Sequence, residues 1–180
     1  RGTYNGSLLH LDGTNGSTTF TDQSGKTWTA GGNAQLSTAQ FKFGTASLLC
    51  DGTGDYITTP QSSDFDFGTG DFTIDWWVRP VGSMGAQFGK RATSGAFGPI
   101  VIYNASIYLS SAGASWDIAS GAVITAPTAG QWNHMALVRS GTSFKFYTNG
   151  VGTTVATSAS TLWAHSTVPY LGGEADGATG

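Results

Sequence analysis

Between positions 72 and 79 the chain reads Phe-Thr-Ile-Asp-Trp-Trp-Val-Arg, and this alternation constrains the fold more than any other feature. Side chains of a strand point to opposite faces in turn. One face therefore carries Phe72, Ile74, Trp76 and Val78, and the other Thr73, Asp75, Trp77 and Arg79. A strand with one buried face is what such a pattern requires. Pro80 ends it, because proline cannot donate to a ladder. The same grammar recurs along the chain. Short β-branched and aromatic runs at 7–11, 26–29, 46–50, 56–59, 99–103, 106–110, 132–139, 143–148, 151–157 and 168–171 are separated by Gly, Asn, Asp and Ser turns. Run 46–50 is expected to meet 56–59 through the 51–55 turn, and 99–103 to pair with 106–110 across Asn104-Ala105. Asn149-Gly150 tolerates the positive φ angles of a tight hairpin. Helix signals are nearly absent. Short strands with turns roughly every 8–12 residues describe an all-β sandwich or barrel.

At 180 residues the chain fits one domain, and it is long enough to bury a core without a metal or disulfide staple. Only 11% of residues are charged, against about 25% in ordinary domains. The polar surface therefore falls to Gly, Ser, Thr, Asn and Gln, which suits neutral, hydroxyl-rich partners or other copies of the chain. A net charge of −3 with scattered Lys and Arg offers no basic stripe for a phosphate backbone, so nucleic acid is an unsuitable partner. No apolar run is long enough to span a membrane as a helix. The lone cysteine, Cys50, cannot form an internal disulfide and is expected to be a small buried thiol.

Four segments carry a family resemblance: Leu8-Leu-His-Leu-Asp-Gly13, Lys42-Phe-Gly-Thr-Ala-Ser-Leu-Leu-Cys-Asp-Gly-Thr-Gly-Asp-Tyr56, Asp71-Phe-Thr-Ile-Asp-Trp-Trp-Val-Arg-Pro80, and Gln131-Trp-Asn-His-Met-Ala-Leu-Val-Arg139 leading to Phe146-Tyr-Thr-Asn-Gly150. In order and spacing the chain resembles the laminin-G-like, concanavalin-A-like lectin/glucanase superfamily, in the version common in bacterial surface and phage structural proteins. The resemblance implies a jelly roll of two antiparallel sheets, one of them concave. Family members usually continue past the Gly-Gly of 172–173 into a further strand lying beside the first one. This chain stops at Gly180, so the edge at 7–11 is expected to be filled by more of the same polypeptide or by a neighbour's strand. The chain is accordingly expected to be oligomeric or embedded in a larger protein.

The superfamily includes glucanases with paired catalytic carboxylates, and retaining glycosidases hold such a pair about 5 Å apart. Here Glu174 is the sole glutamate. Asp71 and Asp75 share a strand face, but residues four apart on a strand are roughly 13 Å apart. His10, His134 and His165 show no metal-ligand spacing, and no nucleophile elbow, P-loop or dinucleotide fingerprint is present. His134 is expected to pack or hydrogen-bond within its sheet. The chain is not expected to be an enzyme.

Calcium is the one cofactor to weigh, since hard oxygen ligands suit it. Glu174-Ala-Asp176 resembles the calcium loop of pentraxins, but the loop that supplies the partner acids there is here Lys90-Arg-Ala-Thr-Ser94, which has none. Asp51 and Asp55 are expected to form turns to backbone N–H groups instead. Sugar recognition needs an aromatic platform with polar partners. Trp77, flanked on its face by Asp75 and Arg79, offers one if that face is open; the alternative is that Trp77 packs under a neighbouring loop. Trp116 and Trp163, in Ser- and Ala-rich contexts, are further platforms, whereas Trp28, Trp76 and Trp132 are expected in the core. Two functions from different classes follow. One is a non-catalytic recognition domain binding cell-surface glycans; the other is an architectural component of a capsid, tail or fibre contacting other proteins. Both place the chain outside the cell, on a cell surface or in a virion.

Overall fold

A computed structural model describes residues 6–82, 84–93 and 96–173. Among these residues the chain forms fourteen short strands and one 3₁₀ turn at Ser63–Phe65. The strands are β1 (Phe20–Thr21), β2 (Thr27–Gly31), β3 (Gln35–Ser37), β4 (Ser47–Leu49), β5 (Tyr56–Thr58), β6 (Phe72–Val78) and β7 (Ala86–Lys90). They continue as β8 (Ile100–Tyr103), β9 (Ser106–Leu109), β10 (Ala119–Val123), β11 (Asn133–Ser140), β12 (Ser143–Thr148), β13 (Val151–Thr157) and β14 (Tyr170–Leu171). Every pairing is antiparallel. One sheet runs β1-β2-β5-β14-β7-β8-β9-β10, a second runs β13-β12-β11-β6, and β3 pairs with β4 alone. This is an all-β sandwich, as the strand pattern requires, with the antiparallel jelly-roll architecture that the resemblance implies.

The core lies between the two large sheets. Ile100, Ile102, Ile107 and Leu109 of β8 and β9 pack with Met135 and Leu137 of β11 and Phe144 and Phe146 of β12. The predicted inner face of β6 joins them: Phe72, Ile74, Trp76 and Val78 all touch this cluster. Thr73, Asp75 and Trp77 are exposed. A second cluster of Phe20, Trp28, Leu36, Ile57 and Phe65 fills the other end. Trp28 and Trp76 therefore serve the core as expected, while Trp132 is half-buried just before β11 and joins neither cluster.

Two buried cations tie loops to these sheets. Arg139 is 2% exposed and donates to the carbonyls of Gly141 (3.1 Å), Gly68 (2.8 Å) and Ser160 (3.0 Å), with its guanidinium over the Phe144 ring. Lys90 is fully buried; its ammonium donates to the Phe65 carbonyl at 3.0 Å and to Asp66 at 2.6 Å. Lys90 therefore closes β7 and is not a loop residue, a correction to its sequence reading.

Two pairings differ from expectation. Residues 7–11 make a single bridge, Leu9 to Asp22, in place of a strand. The Asp22 carboxylate takes the Leu8 N–H at 3.1 Å, and Leu11 turns to a φ of 61°, which ends the extended run. Run 46–50 does not pair with 56–59: β4 pairs with β3, and β5 with β2 and β14. The 51–55 turn instead passes the chain between ladders. Asp55 directs this, accepting the N–H groups of Asn33 and Asp51, both at 2.7 Å.

Candidate functional site

The outward rows of the four-stranded sheet follow from its register. Trp77 of β6 stands opposite His134 of β11; Asp75 stands opposite Ala136, and Ala136 opposite Tyr147 of β12. The Asn149-Gly150 turn fixes His134, because Asn149 accepts its N–H through Oδ1 at 2.9 Å and donates its own N–H to the His134 carbonyl at 2.8 Å. The His134 ring sits 5.2 Å from Trp77, and its Nε2 hydrogen-bonds Asp75 at 3.1 Å.

The loop before β4 completes this surface. Phe43 meets Trp77 edge to face, with centroids 5.6 Å apart, and the Lys42 ammonium lies 4.5 Å from the Trp77 centroid. The loop is held by Asp12, whose Oδ1 accepts the Thr45 N–H at 2.6 Å. Gly44 between them has a φ of 67°, and a Cβ there would lie 1.9 Å from Asp12 Oδ1, so only glycine fits this crossing. Trp77 thus touches a neighbouring loop, yet it remains 39% exposed beside a 66% exposed Phe43. Large exposed aromatics carry a real hydration cost, and contiguous ones mark contact surfaces. With an ammonium over the indole and a carboxylate and an imidazole beside it, this aromatic pair can offer a sugar apolar contact and hydrogen bonds to its hydroxyls.

The remaining sequence candidates lie apart or are engaged in packing. Arg79 follows β6 directly and is half-buried. Trp116 is sandwiched between Phe97 and Tyr108, with centroids 5.3 and 5.4 Å away. Its neighbour Asp117 accepts the Ser111 hydroxyl and N–H; these bonds, the hydroxyl first, hold its pKa below the usual carboxylate value. Trp163 donates its backbone N–H to the Ser110 carbonyl, and its ring covers Gly113 and touches His165. Burial first, and the charge of Lys90 second, lower the His165 pKa, which favours the neutral ring. Trp116 and Trp163 flank one loop beside the eight-stranded sheet, while Asp75 and Trp77 lie on the other sheet.

Asp51 accepts from the Asn33 side chain and the Thr53 N–H, and these bonds lower its pKa. Asp51 and Asp55 are therefore turn-formers, as their sequence context suggests. Among the described residues no group of three or more His, Cys, Asp or Glu is placed to hold a metal ion. Glu174 and Asp176, the calcium candidates, lie outside the described residues. Phe43, Lys42, His134 and Tyr147 were not candidates on sequence grounds. Only the alternation of 132–139 hinted that His134 shares an outward face, and nothing local placed Phe43 beside Trp77.

Three comparisons bear on this arrangement. The family model for the concanavalin A-like lectin/glucanases superfamily matches residues 51–180. No curated protein sequence matches the chain. Among solved structures, domain 4 of AbnA, a GH43 extracellular arabinanase from Geobacillus stearothermophilus in complex with arabinotriose, is similar at 17% identity and a TM-score of 0.60. That match covers 97% of this chain and 88% of that one, and shows a shared fold. With its sandwich topology and a family match over most of its length, this chain belongs to the concanavalin A-like lectin/glucanases superfamily.

Proposed function

We propose that this chain is a non-catalytic recognition domain that binds glycan through the outer face of its four-stranded sheet. Trp77 and Phe43 form the platform, and Asp75, His134 and Lys42 supply polar partners. The observation that carries this reading is the exposed Phe43–Trp77 pair on the outer face of the four-stranded sheet, beside Asp75, His134 and Lys42. The arabinotriose bound by the structurally similar arabinanase domain supports a glycan as the class of partner. A non-catalytic role fits the carboxylates: Asp75 is bonded to His134, Asp71 accepts the Gly141 N–H at 2.7 Å, and Glu174 is the sole glutamate of the chain. An extracellular or cell-surface setting follows from such a partner. Among the described residues no helix is long and apolar enough to cross a membrane.

Affinity electrophoresis through gels containing linear arabinan, xylan or mixed-linkage glucan tests the reading. At least one polysaccharide should retard the wild-type domain, and Trp77→Ala should abolish the retardation while leaving the thermal melt cooperative. Normal retention of Trp77→Ala, with loss in Trp116→Ala or Trp163→Ala, would move the site to the other sheet. No retention on any polysaccharide would favour the architectural reading, a capsid, tail or fibre component whose partners are other chains.

A further inference from the structure

The face that carries Trp77 continues well beyond it. On β12, Tyr147 stands opposite Ala136 on one side and Gly152 of β13 on the other. A Cβ at Gly152 would lie 2.6 Å from Tyr147 Cε1 and 3.0 Å from Cδ1. The ring therefore fills the space a side chain at 152 would take, and it leans along the sheet instead of standing away from it. With Val138, Ser140, Ser143 and Lys145 it lines an open depression of ≈ 330 Å³. Between the two aromatics β11 presents His134, whose ring packs against Trp77, and the short side chain of Ala136.

The register fixes their separation. Trp77 and Tyr147 lie two strand intervals apart and two residues out of step, which places their Cα atoms about 12 Å from each other. A single sugar does not reach across that span, whereas a run of linked sugars does. We propose that this face binds an internal stretch of polysaccharide lying obliquely over β6, β11 and β12, with Tyr147 as a second stacking subsite. The ammonium of Lys145, two residues from Tyr147 on β12, would hydrogen-bond the sugar seated there, and the hydroxyls of the paired Ser140 and Ser143, two residues further on, would meet the next sugar. This inference rests on the glycan-binding reading and adds chain-length selectivity to it.

The test is titration of the intact domain with oligosaccharides of increasing length prepared from whichever of arabinan, xylan or mixed-linkage glucan retains it. Affinity should climb beyond the disaccharide. Tyr147→Ala should lower affinity for long oligomers about tenfold, the loss of one stacking contact, and leave disaccharide affinity unchanged. Tyr147→Phe should bind long oligomers nearly as well as wild type, and Lys145→Ala should show a smaller loss confined to them. Affinity that levels off at the disaccharide, or Tyr147→Ala and Lys145→Ala equal to wild type at every length, would overturn the second subsite. The parent reading fails separately, if Trp77→Ala leaves all binding intact. An absence of binding to all three polysaccharides removes both.

Discussion

Asp22 shows how one side chain can organise a chain end. Its carboxylate accepts the Ser24 N–H (2.7 Å) and hydroxyl (2.6 Å), the Leu8 N–H (3.1 Å), the Trp28 indole N–H (2.9 Å) and the Ser7 hydroxyl. Burial on its own would raise the pKa, but the bonds from Ser24, Ser7 and Trp28 outweigh it and hold the carboxyl far below its ordinary value. A folded pKa below the unfolded one contributes stability above the unfolded pKa, and that stability is lost as pH falls towards the folded value. Urea melts of wild type should therefore weaken as pH drops through the carboxylate range. Asp22→Asn should be less stable at neutral pH and show a flatter dependence below it. Cys50 is displaced the other way. Burial first, then the charges of Asp55 and Asp51, push its thiol up to about 12. A Cβ on Gly172 would lie 2.8 Å from its sulfur, so the segment after β14 packs closely against it. Iodoacetamide at pH 8 should leave the native thiol intact and label it in denaturant; rapid native labelling would contradict the packing. Trp76 has a buried Nε1 with no hydrogen-bond partner. Trp76→Ala should cost about 3–5 kcal/mol in a denaturant melt. Trp76→Phe should cost far less, because it removes an unsatisfied donor along with part of the ring.

At the scale of elements, legibility followed backbone chemistry. β6, β11, β12 and β13 match their sequence runs closely, since strict alternation and the 141 and 149–150 turns leave one register that buries the apolar face. Asn149 and Gly150 have φ angles of 51° and 83°, the left-handed values expected of that hairpin. Gly150→Val should therefore destabilise by about 1–2 kcal/mol, measured by chemical denaturation. The elements that escaped the sequence reading are β1, β3, β7 and β10. Each is short or poor in β-branched residues, and β10 carries a bulge next to Gly121, whose φ is 68°. Their strand character comes from tertiary pairing, which local propensity does not encode. The expected strand at 7–11 failed for a related reason. A side chain, Asp22, takes a backbone donor that a ladder would have used.

The whole molecule explains why the fold was easier to see than the site. Fold class is written in local periodicity, and every long strand repeats it. The aromatic face is assembled from distant parts of the chain: Phe43 and Lys42 from a loop held by Asp12, Trp77 from β6, His134 from β11 and Tyr147 from β12. Alternation placed Trp77 and Asp75 outward, but it gave no sign that Phe43 would meet the ring or that His134 would bond Asp75. The same limit applies to Trp116 and Trp163, which look alike in sequence. Packing alone sets them apart from Trp77, which is exposed where they are half-buried. The central claim is that glycan is met by the four-stranded sheet. The most direct measurement follows the indole N–H signals of the six tryptophans by heteronuclear NMR during titration with an oligosaccharide of the retained polysaccharide. The Trp77 signal should move progressively and saturably while those of Trp116 and Trp163 hold still. Saturable movement at Trp116 or Trp163 with Trp77 unmoved would contradict the account.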